Sequence, residues 1–391
     1  MTAERLTMFK YQYILRETFF RLLKYFPFYF KEKILGVFVS QERKKLFGLK
    51  TPAQIILYLT NRCNARCSHC FYWREVASEK KKELNLSQLA RIAKSLKDPL
   101  NTLSLTGGEP FMREDLPAIV KIFSDNNQTQ KVNIATNGFS EQKIYDQTLK
   151  ILRATDVDLN IQVSLDGLEK THNKIRKVKI FNHAINTLKK LTLLQDKFLN
   201  FHLTVQTTIT RDNLGEIDRL AIFLKKEIPK VHQGFQFVRS PADDVFMIDK
   251  KILSGYNPSS EPLLTISEME QAFKKFSVYR DPNNLLLDSY VRTMNRNIIR
   301  MKKLKQPFVK CLAGTYDAVI WPDGQVSMCE FTRPFASLKN YQFNFFKLWQ
   351  SKPAEAMRKK IANCFCGHTC NLLNAMRFDE KALVEVVNEK D

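Results

Sequence analysis

Beyond residue 52 the chain alternates short apolar runs with amphipathic stretches of helical length. Period-two apolar patterning predicts strands over 54–59, 102–106, 131–136, 158–165, 202–209 and 234–238. Period-3.6 patterning predicts helices between them, over 87–96, 116–124, 141–154, 181–194 and 214–227, with Ser87 as the N-cap of the first. Such alternation implies βα units, a parallel sheet and right-handed crossovers. Six units are visible, fewer than the eight of a closed barrel. The expected fold is therefore α/β, a partial (β/α)6 TIM barrel.

The flanks have a different rhythm. Residues 9–36 interleave aromatic and basic residues, and Pro27 divides them into two helices. Such a stretch either lies in a membrane interface or packs across the open side of the barrel. Residues 246–305 lose the alternation and read as a helical connector, with helices near 267–276 and 285–303. From Pro307 the chain becomes cysteine-bearing and short-stranded, with a hairpin signal at Pro322-Asp323-Gly324-Gln325. The expected domains are a basic N-terminal extension (1–50), the barrel core (51–245), the connector (246–305) and a small cysteine-rich α+β domain (306–391).

Charge adds a further feature. The 391 residues carry a formal net charge of +22. Residues 1–50 hold 11 Lys/Arg against 4 Asp/Glu, and residues 291–310 hold 7 Lys/Arg and no acid. Clustering of this kind suits an anionic partner or a set of solvated helix faces. No run of 18 apolar residues and no signal-peptide pattern is present, so a cytoplasmic protein is expected, peripheral to the inner face of the membrane if residues 1–50 lie on it.

The eight cysteines form two groups, and in a reducing compartment such groups are metal sites more often than disulfides. Cys63, Cys67 and Cys70 follow the first strand in C-x3-C-x2-C spacing. Three thiolates suit an iron–sulfur cluster with one iron left open, and zinc is the competing reading of this segment alone. The next strand ends in Gly107-Gly108-Glu109-Pro110, where two glycines allow close backbone approach to a ligand. Both loops leave the carboxyl ends of neighbouring strands, where ligands of open α/β sheets bind.

C-x3-C-x2-C followed by GGEP resembles the radical S-adenosylmethionine (SAM) superfamily. The resemblance implies a [4Fe–4S] cluster on Cys63, Cys67 and Cys70, and SAM held on its open iron. It also implies reductive cleavage of SAM to a 5′-deoxyadenosyl radical that abstracts hydrogen from a substrate. His69 fits the family's position beside the adenine, and Gly107, Gly108 and Glu109 fit the segment receiving the methionyl amino group. Ser164-Leu165-Asp166-Gly167 resembles the family's Ser-x-Asp-Gly element, making Ser164 and Asp166 candidates for the ribose or the methionyl carboxylate. Arg176 is a candidate partner of that carboxylate, or a surface arginine. An electron donor such as flavodoxin or ferredoxin is implied as partner.

The second group is Cys311, Cys329, Cys364, Cys366 and Cys370. Cys-x2-Gly, Pro-Asp-Gly, Cys and a cysteine-rich tail resemble the SPASM/twitch extension, which houses auxiliary iron–sulfur clusters. Its full form has seven cysteines, so one auxiliary [4Fe–4S] cluster is expected here. Cys311, Cys329, Cys366 and Cys370 are the preferred ligands, and Cys364 is either spare or replaces Cys366. His368 is read as a loop residue, a neighbour of the cluster, or a ligand.

Peptide or protein modification is the leading expectation, since SPASM/twitch members often act on peptides. A radical oxidoreductase acting on a sugar, nucleotide or lipid precursor is the alternative. A nucleic-acid partner is not expected, because the aromatics are dispersed instead of forming a stacking platform. The catalytic base is not identifiable from the sequence.

Overall fold

The computed structural model describes residues 18–20, 22–77, 82–239, 253, 263–276 and 285–389. The first half of the N-terminal aromatic-basic stretch and much of the 246–305 connector lie outside them.

Six parallel strands form the core: β1 (Gln54–Tyr58), β2 (Thr102–Thr106), β3 (Lys131–Thr136), β4 (Asp158–Ser164), β5 (Phe201–Ile209) and β6 (His232–Phe237). They lie in chain order as an open, partial barrel, as the alternation implied. Their crossover helices include α3 (Leu86–Ser95), α4 (Leu116–Asn127), α5 (Glu141–Ala154), α6 (Glu169–Arg176), α7 (Phe181–Gln195) and α8 (Ile217–Glu227). They follow α1 (Phe28–Gly48) and the short α2 (Trp73–Ala77). Helix α3 corrects the expected cap. Asn85, not Ser87, accepts the Gln88 N–H, and the Gln88 side chain returns to the Asn85 backbone. This capping box satisfies two orphan donors and contributes about 1 kcal/mol.

Strands β2, β3 and β4 alternate strictly, and β5 does so over its first six residues. Leu103, Val132, Ile134, Leu159, Ile161, Val163, Leu203 and Val205 are buried under the helices. Each contributes roughly 1.5–3 kcal/mol by leaving water. Fully covered parallel strands usually read as continuous apolar runs. Here the opposite face carries Ser104, Asn133, Asn160, Gln162, Thr204 and Gln206, all half-buried. These side chains bond across strands: Thr204 Oγ1 donates to Asn160 Oδ1 (2.9 Å) and Gln162 Nε2 to Gln206 Oε1 (3.0 Å). Across β2–β5 this face of the sheet is thus polar and uncharged over most of its height, whereas on β1 and the C-terminal strand beside it the face carries the apolar Ile56, Tyr58 and Val319.

The C-terminal strands continue the same sheet. β7 (Asp317–Ile320) pairs parallel with β1, and the antiparallel β8 (Gln325–Ser327) and β9 (Ala336–Ser337) follow. The hairpin predicted at Pro322–Gln325 is therefore anchored directly beside the first cysteine-bearing strand. The remaining helices are α9 (Ile266–Phe276), α10 (Leu285–Leu304), α11 (Phe345–Trp349), α12 (Lys352–Ile361), α13 (Thr369–Met376) and α14 (Glu380–Val387).

Helix α14 packs against both α1 and α10. This accounts for one of the two basic segments. Arg292 and Arg296 pair with Glu389, Arg300 with Glu385 and Lys303 with Glu270, while Lys302 Nζ bonds the Leu264 carbonyl. The charge of residues 291–310 is largely met within the fold, which favours the second of the two readings, solvated helix faces.

Candidate functional site

Cys63, Cys67 and Cys70 occupy one loop at the carboxyl end of β1, all half-buried. Cys63 and Cys70 pack against the apolar patch of Ile56, Tyr58 and Tyr72. Burial pushes the Cys63 thiol up to about 11, and burial with the charge of Cys67 pushes Cys70 to about 12. Thiolates in so dry a loop are stabilised by binding a cationic centre.

The loop is strapped from three sides. Gly108 N donates to the Thr60 carbonyl and Glu109 N to the Arg62 carbonyl, both 2.8 Å. A Cβ on Gly108 would lie 2.1 Å from Arg62 O, and one on Gly107, whose φ is +131°, 2.6 Å from Thr60 O. Both glycines are needed because two backbones meet here, whatever ligand also approaches. Asn137 Nδ2 donates to Asn64 Oδ1 (2.6 Å). On the third side Arg66 N and Ser68 N donate to the carbonyls of Arg176 and Ile175, at 3.1 and 2.9 Å.

Glu109 is buried, and its carboxylate accepts from Phe111 N, Thr136 Oγ1 and Asn137 N at 3.2, 2.8 and 2.7 Å. Burial raises its pKa to about 7 even though these donors favour the charged form. It ties the end of β2 to the end of β3.

Asp166, at the end of β4, is fully buried. Its Oδ1 accepts from Thr208 N (3.0 Å), and its Oδ2 stands 2.6 Å from Arg176 Nη2. Burial opposes ionisation of Asp166, but the Arg176 charge outweighs it and holds the carboxyl below its usual range. Arg176 is 8% exposed, which excludes the surface reading. Its Nη1 lies 3.5 Å from Cys67 Sγ. The Asp166 backbone N–H donates to His172 Nδ1 (2.9 Å), and burial lowers His172 to about 3. Burial likewise lowers His69 to about 4, so both imidazoles are neutral. Ser164 ends β4 half-buried.

Three buried nitrogens gather here with no hydrogen-bond partner among the described residues: Arg176 Nε, His172 Nε2 and His69 Nδ1. Dry thiols beside orphaned buried nitrogens fit a bound cluster with a polar organic ligand. Among the described residues, no three His, Cys, Asp or Glu side chains are grouped tightly enough to hold one metal ion.

The second cysteine group also converges. Cys329 and Cys366 are buried, and Cys311 and Cys364 half-buried. The Cys364 thiol donates to Cys311, which lowers Cys311 to about 7 against its burial. Cys364 also lies within electrostatic reach of Cys366 and Cys329. Burial pushes Cys329 up to about 12. Cys364 thus belongs to the group instead of standing apart, and the Cys370 side chain lies outside the described residues.

Between the two groups sits a constellation that sequence reasoning missed. Tyr58 Oη donates to Glu330 Oε1 (2.5 Å), and His368 Nε2 lies 2.5 Å from Glu330 Oε2. Arg239 Nη1 stands 2.8 Å from His368 Nε2 and 3.6 Å from Glu330 Oε2. Burial raises Glu330, but the hydrogen bond from His368 and the charge of Arg239 more than offset it, leaving about 2. His368 is thereby a buried partner of Glu330, not a free loop residue. The only local signal was an acid directly after Cys329.

Residues 57–221 match the Radical SAM superfamily. The sporulation killing factor maturation protein SkfB of Bacillus subtilis is 30% identical over 173 residues, 42% of this chain and 38% of that protein. The GTP 3′,8-cyclase of Tolumonas auensis is 28% identical over 174 residues, 44% of this chain and 49% of that protein. The chain thus spans less than half the length of these curated relatives. Among solved structures, Streptococcus suis SuiB bound to its precursor peptide SuiA superposes with a TM-score of 0.55 at 15% identity, covering 86% of this chain and 73% of that one. SuiB bound to S-adenosylmethionine gives 0.51 at 14% identity, over 80% and 69%. These superpositions establish a shared fold.

Proposed function

We propose, from the premise that this chain belongs to the radical SAM superfamily, that it is a radical enzyme modifying a peptide or protein. The observation that carries the enzymatic reading is the convergence of the Cys63–Cys70 loop, the Gly107–Glu109 loop and the Asp166–Arg176 pair on one end of the sheet. A [4Fe–4S] cluster with SAM, when bound, supplies hydrogen-atom abstraction by a SAM-derived radical.

Cys63, Cys67 and Cys70 would hold that cluster. Arg176, fixed by Asp166, keeps a positive charge against Cys67 and offers Nε as a donor to the ligand. Asp166 acts through Arg176 in this reading. The backbone of Gly107 and Gly108 and neutral His69 line the organic ligand. Glu109 joins the ends of β2 and β3 beneath it. Cys311, Cys329, Cys364 and Cys366 would hold an auxiliary cluster, the grouping of Cys364 with Cys311 supporting it over a spare role. Glu330, ionised beside Arg239 and His368, is a stable negative anchor at neutral pH.

Similarity to SkfB, named as a maturation protein, and the fold shared with peptide-bound SuiB support a peptide substrate. The amide-lined concave face supports it too, because such side chains bond extended backbone. A nucleotide substrate is the second reading, favoured by the similarity to GTP 3′,8-cyclase. Incubation of anaerobically reconstituted enzyme with SAM, reductant and either an acidic precursor peptide or GTP separates them. A mass change in the peptide supports the first reading, and consumption of GTP alone replaces it.

A further inference from the structure

Among the described residues, helix α1 meets the body through one face. Leu35, Val39 and Leu46 are buried, Lys31 Nζ donates to Asn388 Oδ1 (2.7 Å), and Arg43 Nε donates to the Phe378 carbonyl (2.8 Å). Its opposite face presents Phe30, Lys33, Val37 and Lys44, spaced by three, four and seven residues and so aligned along one stripe. Phe30 is 53% exposed, Val37 61% and, on the flank of the stripe, Phe47 67%. Preceding the helix, the Pro27 corner exposes Tyr25 at 85%. Lys33 Nζ sits 4.4 Å over the Tyr29 ring.

So many exposed large apolar side chains on one surface call for a partner. Helix α1 has 21 residues and runs about 31 Å, with apolar anchors at both ends and lysines between them. Lys33, Val37 and Lys44 line only a shallow, open groove shared with Glu380, not the enclosed cleft that a pocket-seeking peptide partner would call for. The charge decides the occupant. Residues 1–50 hold 11 Lys/Arg against 4 Asp/Glu, and the exposed stripe of α1 carries Lys33 and Lys44 and no acid. Among the described residues, no helix is long and apolar enough to cross a membrane.

We propose that α1 and the Pro27 corner dock the protein on the surface of an anionic lipid bilayer. Phe30, Val37, Phe47 and Tyr25 enter the headgroup–acyl boundary, and Lys33 and Lys44 meet the lipid phosphates. The helix lies in the plane of the bilayer, and the body it packs on through α14 stays in water.

The test uses the full chain, purified anaerobically, and vesicles of phosphatidylcholine with or without phosphatidylglycerol. Wild type sediments with the anionic vesicles, at least about tenfold more tightly than with the neutral ones, and loses that advantage in high salt. The triple variant Tyr25→Ser, Phe30→Ser, Val37→Ser binds at least about tenfold more weakly, and Lys33→Glu with Lys44→Glu does the same without removing any apolar group. Circular dichroism and SAM cleavage without vesicles stay at wild-type level in both, since every substituted side chain is exposed. Equal binding to both vesicle types, or unchanged binding by both variants, overturns the proposal. Sedimentation without vesicles that both variants abolish overturns it in favour of a second copy of this chain as the occupant. None of these readouts depends on the substrate.

Discussion

Arg176 bridges Asp166 and Cys67: its Nη2 stands 2.6 Å from Asp166 Oδ2, and its Nη1 3.5 Å from Cys67 Sγ. The C-terminal residue of one crossover helix thus joins a strand end to a thiol of the cysteine loop, more than 100 residues earlier in the chain.

Removing either partner leaves a buried charge alone. Arg176→Met or Asp166→Asn should cost about 3–5 kcal/mol of stability by denaturant unfolding. The double variant should recover a large part of that loss, because no charge is then left unpaired. Arg176→Lys should not rescue ligand binding, as one ammonium cannot serve Asp166 and Cys67 in the planar geometry of a guanidinium.

Gly108→Ala forces a methyl group to 2.1 Å from Arg62 O. The two loops must separate, at a cost of about 3 kcal/mol or more, with lost iron retention as the second readout. Gly215→Ala is the control. Nothing lies within 4 Å of its added Cβ, and its stability should change by only about 0.5 kcal/mol.

Glu109 gives a pH dependence. Its folded pKa of about 7 lies above the ordinary 4.5. Below pH 4.5 it is protonated folded and unfolded. As pH rises toward 7 the unfolded chain ionises first, so the advantage of the folded state is lost through that window. Glu109→Gln cannot ionise. It keeps one amide oxygen as an acceptor but sets an NH2 against the remaining donors, so it should be less stable than wild type at pH 4.5. Measured by urea unfolding without SAM, the gap between variant and wild type should narrow by roughly 3 kcal/mol from pH 4.5 to 8.

Much of the core was legible in the chain. The runs 102–106 and 131–136 emerge as β2 and β3 without a shift, because strict alternation and flanking polar residues leave one register that buries Leu103, Val132 and Ile134. Cys63–Cys70 and Gly107–Glu109 were readable because each is a contiguous motif at a strand end. What was not legible is non-local. Nothing near Asp317 announces that β7 pairs with β1, and the Tyr58–Glu330–His368–Arg239 group draws one residue from each of four distant segments. The N-cap was misplaced by two residues because Ser87 and Asn85 are both good caps, and only Asn85 has Gln88 three positions on. The basic run 291–310 looked outward because its acids, Glu385 and Glu389, lie 85 or more residues later.

The auxiliary site has its own test. Cys364→Ser should lower iron in anaerobically purified protein by about half, on the premise of two [4Fe–4S] clusters, and Cys370→Ser should leave more iron than Cys364→Ser does. The reverse order would return Cys364 to a spare role.

The central claim is tested most directly by 5′-deoxyadenosine formation. Anaerobically reconstituted protein with SAM and dithionite should release it, and the Cys63→Ala, Cys67→Ala, Cys70→Ala triple variant should release none while keeping about half the iron. Undiminished 5′-deoxyadenosine from the triple variant would contradict the account.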